Sequence, residues 1–188
     1  MIRYVVSLLI ILAVVGGSAS LFFPDYWQHR FDDVISRQAR VYRLDEKLVW
    51  SLIYEETYFR PWKIGNAEEV GLMQVTPTVA RAWAKETGLK EYERQASENV
   101  NEFLADPERN IQAGCWYLEK VREPYRGRPA ETAMTLAAYN AGPGKADEWG
   151  GANLKASQIP YAETRHYVQK VLDARDEYRR RYKRELGL

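Results

Sequence analysis

From Tyr4 to Phe23 the chain reads YVVSLLIILAVVGGSASLFF, twenty residues without a charge, preceded by Arg3. As a helix rising 1.5 Å per residue, this run is about 30 Å long, the thickness of a bilayer's hydrocarbon core. It has no polar face, so it does not suit a surface helix of a soluble domain. Two readings stand. One is an uncleaved inner-membrane anchor, a transmembrane helix with Arg3 and the amino terminus inside, favoured by the apolar Leu21-Phe22-Phe23 beyond the small residues. The other is a signal peptide cut near Gly16-Gly17-Ser18-Ala19-Ser20, releasing a secreted body. No cysteine follows the run, which argues against a lipoprotein. Both readings make 1–24 an anchor or leader and place 25–188 outside the cytoplasm, in the periplasm or its equivalent.

The remaining 164 residues carry 26 basic and 26 acidic side chains and are formally neutral. That balance lacks the basic field nucleic-acid binding needs, so no nucleic acid is expected as a partner. A body of this length suits one globular domain. A single cysteine, Cys115, excludes an internal disulfide framework and a cysteine-rich zinc site. The two histidines, His29 and His166, show no metal-ligand spacing, so neither a metal nor another cofactor is called for. Cys115 reads as a core residue, and His166 as structural or solvent-facing.

The body punctuates itself as helices. Phe31, Val34, Ile35, Ala39 and Tyr42 recur at helical spacing. Asp45 is placed to cap a helix from Glu46 to about Tyr58, stopped by Pro61. Residues 62–75 lack a period and read as irregular turns with at most a minor hairpin. Thr76-Pro77 opens a helix that Gly88 closes, and Asp106-Pro107 repeats the opening signal ahead of the stripe Ile111, Cys115, Leu118 and Val121. Residues 89–105 are ambiguous. A helix at about 130–140 breaks at Gly142-Pro143-Gly144, a looser stretch follows to Pro160, and a last helix covers about Ala162 to Lys183. No alternating strand pattern appears, so the fold class is all-α. The basic tail Arg179-Arg180-Arg181-Tyr182-Lys183-Arg184 reads as a solvated helix end complementing the macrodipole, or as a contact for anionic lipid or wall polymer.

One carboxylate stands out. On a wheel at 100° per residue, Leu48, Leu52, Val49 and Ile53 span an arc, and Glu56 falls in its middle while Glu55 falls at its edge. A carboxyl among apolar groups has its charged form disfavoured and keeps its proton, which is what a general acid requires near neutral pH. The competing reading is a helix-end glutamate paired with Arg60 four residues on.

Four blocks follow one another along the chain: Glu56-Thr57-Tyr58-Phe59-Arg60-Pro61, Gly71-Leu72-Met73-Gln74-Val75-Thr76-Pro77-Thr78-Val79-Ala80, Ala138-Tyr139-Asn140-Ala141-Gly142-Pro143-Gly144, and Ile159-Pro160-Tyr161-Ala162-Glu163-Thr164-Arg165-His166-Tyr167-Val168. In content and order they resemble the lytic transglycosylase family, which has a goose-type lysozyme-like fold, over about residues 45–172. The resemblance implies cleavage of the β-1,4 bond between N-acetylmuramic acid and N-acetylglucosamine in peptidoglycan glycan strands. It implies Glu56 as the single acid/base and 1,6-anhydromuramoyl ends as product, by a substrate-assisted route that needs no second carboxylate. It also implies that Met73, Gln74, Tyr139, Asn140, Glu163 and Tyr167 contact substrate. Three of them have a plainer reading: Met73 and Tyr139 as core, Glu163 as a structural partner of Arg165 or of the backbone. Gln74 offers an amide donor and acceptor for an N-acetyl group. Two other functions stay open: a lysozyme-like hydrolase using water at the same site, and a silent glycan-binding module of an envelope complex.

The chain departs from the family at Asn66-Ala67-Glu68-Glu69-Val70-Gly71, where small residues are usual. Glutamate resists a backbone shape that glycine allows, and extra carboxylates near Glu56 would raise its pKa.

Overall fold

The computed structural model describes residues 26–149 and 154–185. The Tyr4–Phe23 anchor or leader, and the division at Pro24, lie outside the described residues. Among those residues no helix is long and apolar enough to cross a membrane. The chain forms two units, one reaching to Asp33 and the other starting at Val34. In the described part of the first, the Arg30 guanidinium lies 3.5 Å over the Trp27 ring, and His29 pairs with Asp32 at 2.7 Å.

After a helical stretch at 26–29, nine further α-helices occur among the described residues: α1 (Asp32–Val41), α2 (Glu46–Thr57), α3 (Pro77–Thr87), α4 (Lys90–Glu98), α5 (Val100–Ala105), α6 (Pro107–Arg122), α7 (Glu131–Ala141), α8 (Pro143–Glu148) and α9 (Ala162–Glu185). Three of them open on caps legible in the sequence. The side chains of Asp45, Thr76 and Asp106 accept from the backbone N–H of Lys47 (3.0 Å), Val79 (3.3 Å) and Arg109 (2.8 Å). Pro77 and Pro107 occupy the first turn, where no N–H is missed. Gly88 ends α3 at φ 69°.

Three local expectations need correcting. Pro61 does not stop α2: Tyr58 and Phe59 already adopt left-handed backbone, φ 51° and 58°, and the Tyr58 N–H closes the helix on the Tyr54 carbonyl. The ambiguous 89–105 stretch is two short helices, α4 and α5, kinked at Asn99, whose side chain caps Glu102 N. The looser stretch before Pro160 contains α8, which is short and polar and offers no apolar stripe to read.

Two helices form the centre. Leu48 to Ile53 of α2 are all buried, as are Met134 to Ala138 of α7. Such helices are apolar round most of their circumference because neighbours cover several faces. α7 packs on α6, α8 and α9, and α2 packs on α9. The α2–α9 seam is aromatic: Trp50 stacks on Tyr178 at 4.5 Å between centroids and on Tyr54 at 5.4 Å. Lys47 lies 4.7 Å over the Tyr182 ring, and Arg179 pairs with Asp45. The tail is therefore not a purely solvated helix end. Part of its charge, Arg179, and its one ring, Tyr182, are engaged with the start of α2.

Between α2 and α3 the chain makes tight turns without a strand. Val70 forms isolated antiparallel bridges with Ile64 and Val75. This is all that remains of the minor hairpin. The fold is all-α among the described residues, with this irregular loop laid against α6.

Candidate active site

Glu56 sits in the last turn of α2, and the loop that follows folds back over it. Burial dominates its electrostatics and pushes its pKa up to about 7; Tyr167 and Lys63 pull the other way, and Glu69 and Glu55 push it further up. This is the desolvation the wheel implies. The alternative pairing with Arg60 is not made. The Arg60 Nε donates to the Thr57 carbonyl at 2.8 Å, and no ion pair joins Arg60 to Glu56 among the described residues.

Two phenols face the acid from other helices. Tyr139 of α7 donates its hydroxyl to the Met73 carbonyl at 2.8 Å. Tyr167 of α9 has a buried hydroxyl aimed at the Glu56 carboxyl, close enough to stabilise the ionised acid though short of a fully formed hydrogen bond. Burial, with the nearby Glu56 charge, raises both phenols well above their usual range, so both stay protonated. Tyr139 also packs on Tyr117, 5.3 Å between centroids, and on the cluster around Val121, Met134 and Ala146.

The loop is held by hydrogen bonds between its own backbone groups and by side chains in and around it. The Lys63 ammonium donates to the Glu56 carbonyl. The Lys63 carbonyl accepts from Gly71 N at 2.9 Å and from Gln74 Nε2 at 3.2 Å. The Thr57 hydroxyl is shared between the carbonyls of Ile53 (3.1 Å) and Leu72 (3.0 Å), which ties α2 to the loop directly.

One buried side chain from α6 completes the frame. Asn110 is fully buried; its Oδ1 accepts from Met73 N at 2.8 Å, and its Nδ2 donates to the carbonyls of Val70 (2.7 Å) and Leu104 (3.0 Å). Gly71 lies at φ 79°, and a Cβ there would overlap the Asn110 amide. Gly114, one turn along α6, leaves room for the Met73 sulfur in the same way. A chain of contacts thus runs from Asn110 through the Met73 peptide to the Tyr139 hydroxyl beside Glu56.

The implied substrate residues are placed unequally. Tyr139 and Tyr167 converge on Glu56. The Met73 side chain is fully buried, so what it offers the site is its carbonyl, already taken by Tyr139. Gln74 spends its amide N–H on the Lys63 and Gly71 carbonyls, leaving only its oxygen for a ligand. Asn140 and Glu163 are exposed. Arg165 donates to the Ile159 and Pro160 carbonyls rather than to Glu163. His166 is exposed, and Cys115 is buried with its thiol pKa pushed up by burial. No group of residues able to hold a metal occurs among the described residues.

Both departures in the loop have structural consequences. Glu68 adopts φ 65°, the left-handed shape a glycine would take without cost. Glu69 turns its carboxylate to the Ala67 N–H at 2.9 Å and adds negative charge near Glu56. Asn110 and Lys63 were missed by sequence reasoning. For Asn110 a signal existed, because on the α6 wheel it falls about 20° from Val121, on the edge of the apolar stripe. Lys63 lies in an aperiodic loop and left no signal. A cleft of about 400 Å³ between α4, α5 and α6 does not include Glu56, and its Arg94 is paired with Glu91 and Glu98.

A glutamate in a helix end, an irregular loop folded over it, and two tyrosines from later helices define an all-α lysozyme-like protein. Solved structures share the arrangement of the chain. The lytic transglycosylase Slt of Pseudomonas aeruginosa, as an inactive mutant, superposes with a TM-score of 0.67 at 25% identity, covering 82% of this chain and 24% of that one. The 70 kDa soluble lytic transglycosylase of Escherichia coli gives a TM-score of 0.67 at 28% identity, covering 84% and 24%. The chain matches the Transglycosylase SLT domain family over residues 33–161 and belongs to that family. Among curated proteins it is 27% identical over 177 residues to the membrane-bound lytic murein transglycosylase C of Salmonella arizonae, covering 81% of this chain and 47% of that protein. The chain therefore spans about half of that relative and a quarter of the two structures. The family match ends at Ala162's doorstep, so α9 and its Tyr167 lie beyond the matched span.

Proposed function

We propose that the protein is a peptidoglycan lytic transglycosylase with Glu56 as its one acid/base. The reading is supported by family membership and by one local observation: a desolvated carboxyl whose proton affinity is balanced near neutral pH. A catalytic acid works best with a pKa near the working pH. Burial alone would overshoot, and Tyr167 and Lys63 bring it back by favouring the ionised form.

In this mechanism Glu56 gives its proton to the bridging glycosidic oxygen while the C1–O bond of the muramoyl unit breaks. The substrate's acetamido oxygen holds C1 in the interval, which a chain without a second nucleophilic carboxylate requires. Glu56, now ionised and steadied by Tyr167 and Lys63, takes the proton of the muramoyl 6-hydroxyl. The C1–O6 bond closes as the acetamido oxygen leaves C1, which forms the 1,6-anhydro ring, frees the acetamido group and restores the acid without water. Tyr139, Gln74, Asn140, Glu163 and the Met73 turn hold the sugars. Tyr4–Phe23 tethers the enzyme to the inner membrane, with its domain in the periplasm.

Product analysis tests this. Intact cell-wall sacculi digested by the protein should yield muropeptides with anhydro ends by mass spectrometry, and Glu56→Gln should yield none. Reducing ends would shift the reading to the hydrolase, with Glu69 as the extra carboxylate near the acid. Release of nothing by the parent would leave only a glycan-binding module.

A further inference from the structure

The cleft between α4, α5 and α6 lies outside everything assigned to Glu56, and its polar groups are unevenly satisfied. It holds about 400 Å³ and is lined by two arginines, two glutamates, two amides and one ring. Arg94 is engaged: its guanidinium pairs with Glu91 at 2.6 Å and with Glu98 at 2.5 Å. Arg109, half-buried, is not. Its guanidinium lies over the rings of Phe103, 5.2 Å to the centroid, and Tyr92, 5.4 Å, and among the described residues no carboxylate pairs with it and no acceptor takes its side-chain N–H groups. Glu91 attracts it only across space, being bonded to Arg94 and Gln95. Glu102 has no cationic partner among the described residues; one of its oxygens accepts from Asn99 Nδ2 at 2.8 Å. Gln95 gives its amide N–H to Glu91, and its Oε1 is buried without a partner.

Arg109 and Glu102 carry opposite charges, line one cleft and do not pair with each other. A lone anion on Arg109 would leave Glu102 and the Gln95 oxygen unanswered and add charge beside Glu98. A lone cation on Glu102 would leave the donors of Arg109 idle. A small molecule carrying both a carboxylate and an ammonium answers both. A guanidinium steadied over two rings is already set to take a carboxylate through parallel hydrogen bonds. An ammonium has donors only, which suits a carboxylate and an amide oxygen side by side. A buried acceptor without a donor is a cost that folding leaves standing, and a ligand N–H removes it. The volume falls in the range of small-molecule sites.

We propose that this cleft binds a small zwitterion, a free amino acid or a short peptide with free ends, with its carboxylate on Arg109 and its ammonium on Glu102 and Gln95. The site is separate from Glu56 and does not depend on the reading of that residue as the acid.

Calorimetric titration of the full chain tests it with alanine, alanyl-alanine and two blocked probes: N-acetyl-alanyl-alanine, which has no ammonium, and alanyl-alanine amide, which has no carboxylate. At least one free zwitterion should bind saturably, and blocking either end of the dipeptide should weaken it about tenfold, since each block removes one charge-assisted contact. Arg109→Gln should weaken alanyl-alanine to the level of the amide probe and leave the amide probe itself unchanged. Glu102→Gln should do the same with respect to the acetylated probe. Tighter binding of alanyl-alanine than of alanine supports the site and identifies a peptide; parity or the reverse supports it and identifies a free amino acid. No saturable binding of either zwitterion, blocked probes that bind as well as the free dipeptide, or folded variants that bind it as the parent does overturn the site and leave the reading of Glu56 standing. The blocked probes act on the unaltered chain, so the outcome does not hang on whether a variant folds.

Discussion

Replacing Asn110 by alanine should lower stability by about 4 kcal/mol, and the loss should be strongly coupled to Gly71. The Met73 N–H, buried and donating to Asn110 Oδ1 at 2.8 Å, would be left without a partner, at about 2 kcal/mol. The Val70 and Leu104 carbonyls would each lose a hydrogen bond worth about 1 kcal/mol; Val70 keeps its bond from Val75 N at 3.0 Å, which limits the damage. For a chain of this size the sum corresponds to a fall of roughly 8–16 °C in Tm, large yet within the stability of an ordinary domain. Gly71→Ala should be severe in the parent, because the new methyl collides with the Asn110 amide and the backbone stays at φ 79°. In an Asn110→Ala background the collision with the amide is gone, and what remains is the contact with the Leu104 carbonyl, 2.8 Å from the new Cβ, and the left-handed strain of about 1–2 kcal/mol. Thermal and urea unfolding of the four proteins measures the cycle. Additive effects, or an Asn110→Ala protein melting within about 3 °C of the parent, would refute the idea that this one amide holds the turn beneath Tyr139.

Lys63→Met removes a positive charge that favours ionised Glu56, so the Glu56 pKa should rise above about 7 and the alkaline fall in kcat/KM should move to higher pH; Glu69→Gln should move it the opposite way, and a profile unmoved in both variants would show that the loop does not set the acid. The folded pKa of Glu56 is raised above its unfolded value of 4.5, so its contribution to stability is complete below pH 4.5 and is lost as pH rises to about 7. Glu56→Gln should therefore unfold at higher urea than the parent at pH 8, by up to about 3 kcal/mol, and show little advantage at pH 4. Glu68→Gly should stabilise the loop by roughly 0.5–1 kcal/mol, since relief of left-handed strain outweighs the added freedom of glycine in the unfolded chain; a lower melting temperature would mean that the Glu68 side chain makes a contact worth more than the strain.

The helices were legible where the signals are local. Asp45, Thr76-Pro77, Gly88 and Asp106-Pro107 act within one turn, and each does in the structure what its chemistry dictates. The burial of Glu56 was legible for a related reason, because a wheel needs only helical geometry. What the sequence hid depends on long-range contact. The end of α2 is set by how the loop must turn over Glu56, and this puts Tyr58 and Phe59 in left-handed backbone that no propensity foretells. Gln74 looks like a free amide until Lys63, eleven residues earlier, is seen to claim its N–H. The tail reads as solvated until its partners far back along the chain, Asp45 and Lys47, are in place.

The location of Glu56 within its helix has an effect of its own. Peptide dipoles leave the carboxy-terminal end of a helix partially negative and the amino-terminal end partially positive. A glutamate in the opening turn of α2, such as Glu46, lies among the N–H groups at the positive end. The same side chain ten residues later meets the opposite polarity and clings to its hydrogen. One residue type, placed at the two poles of a single short rod, is fitted for two different jobs.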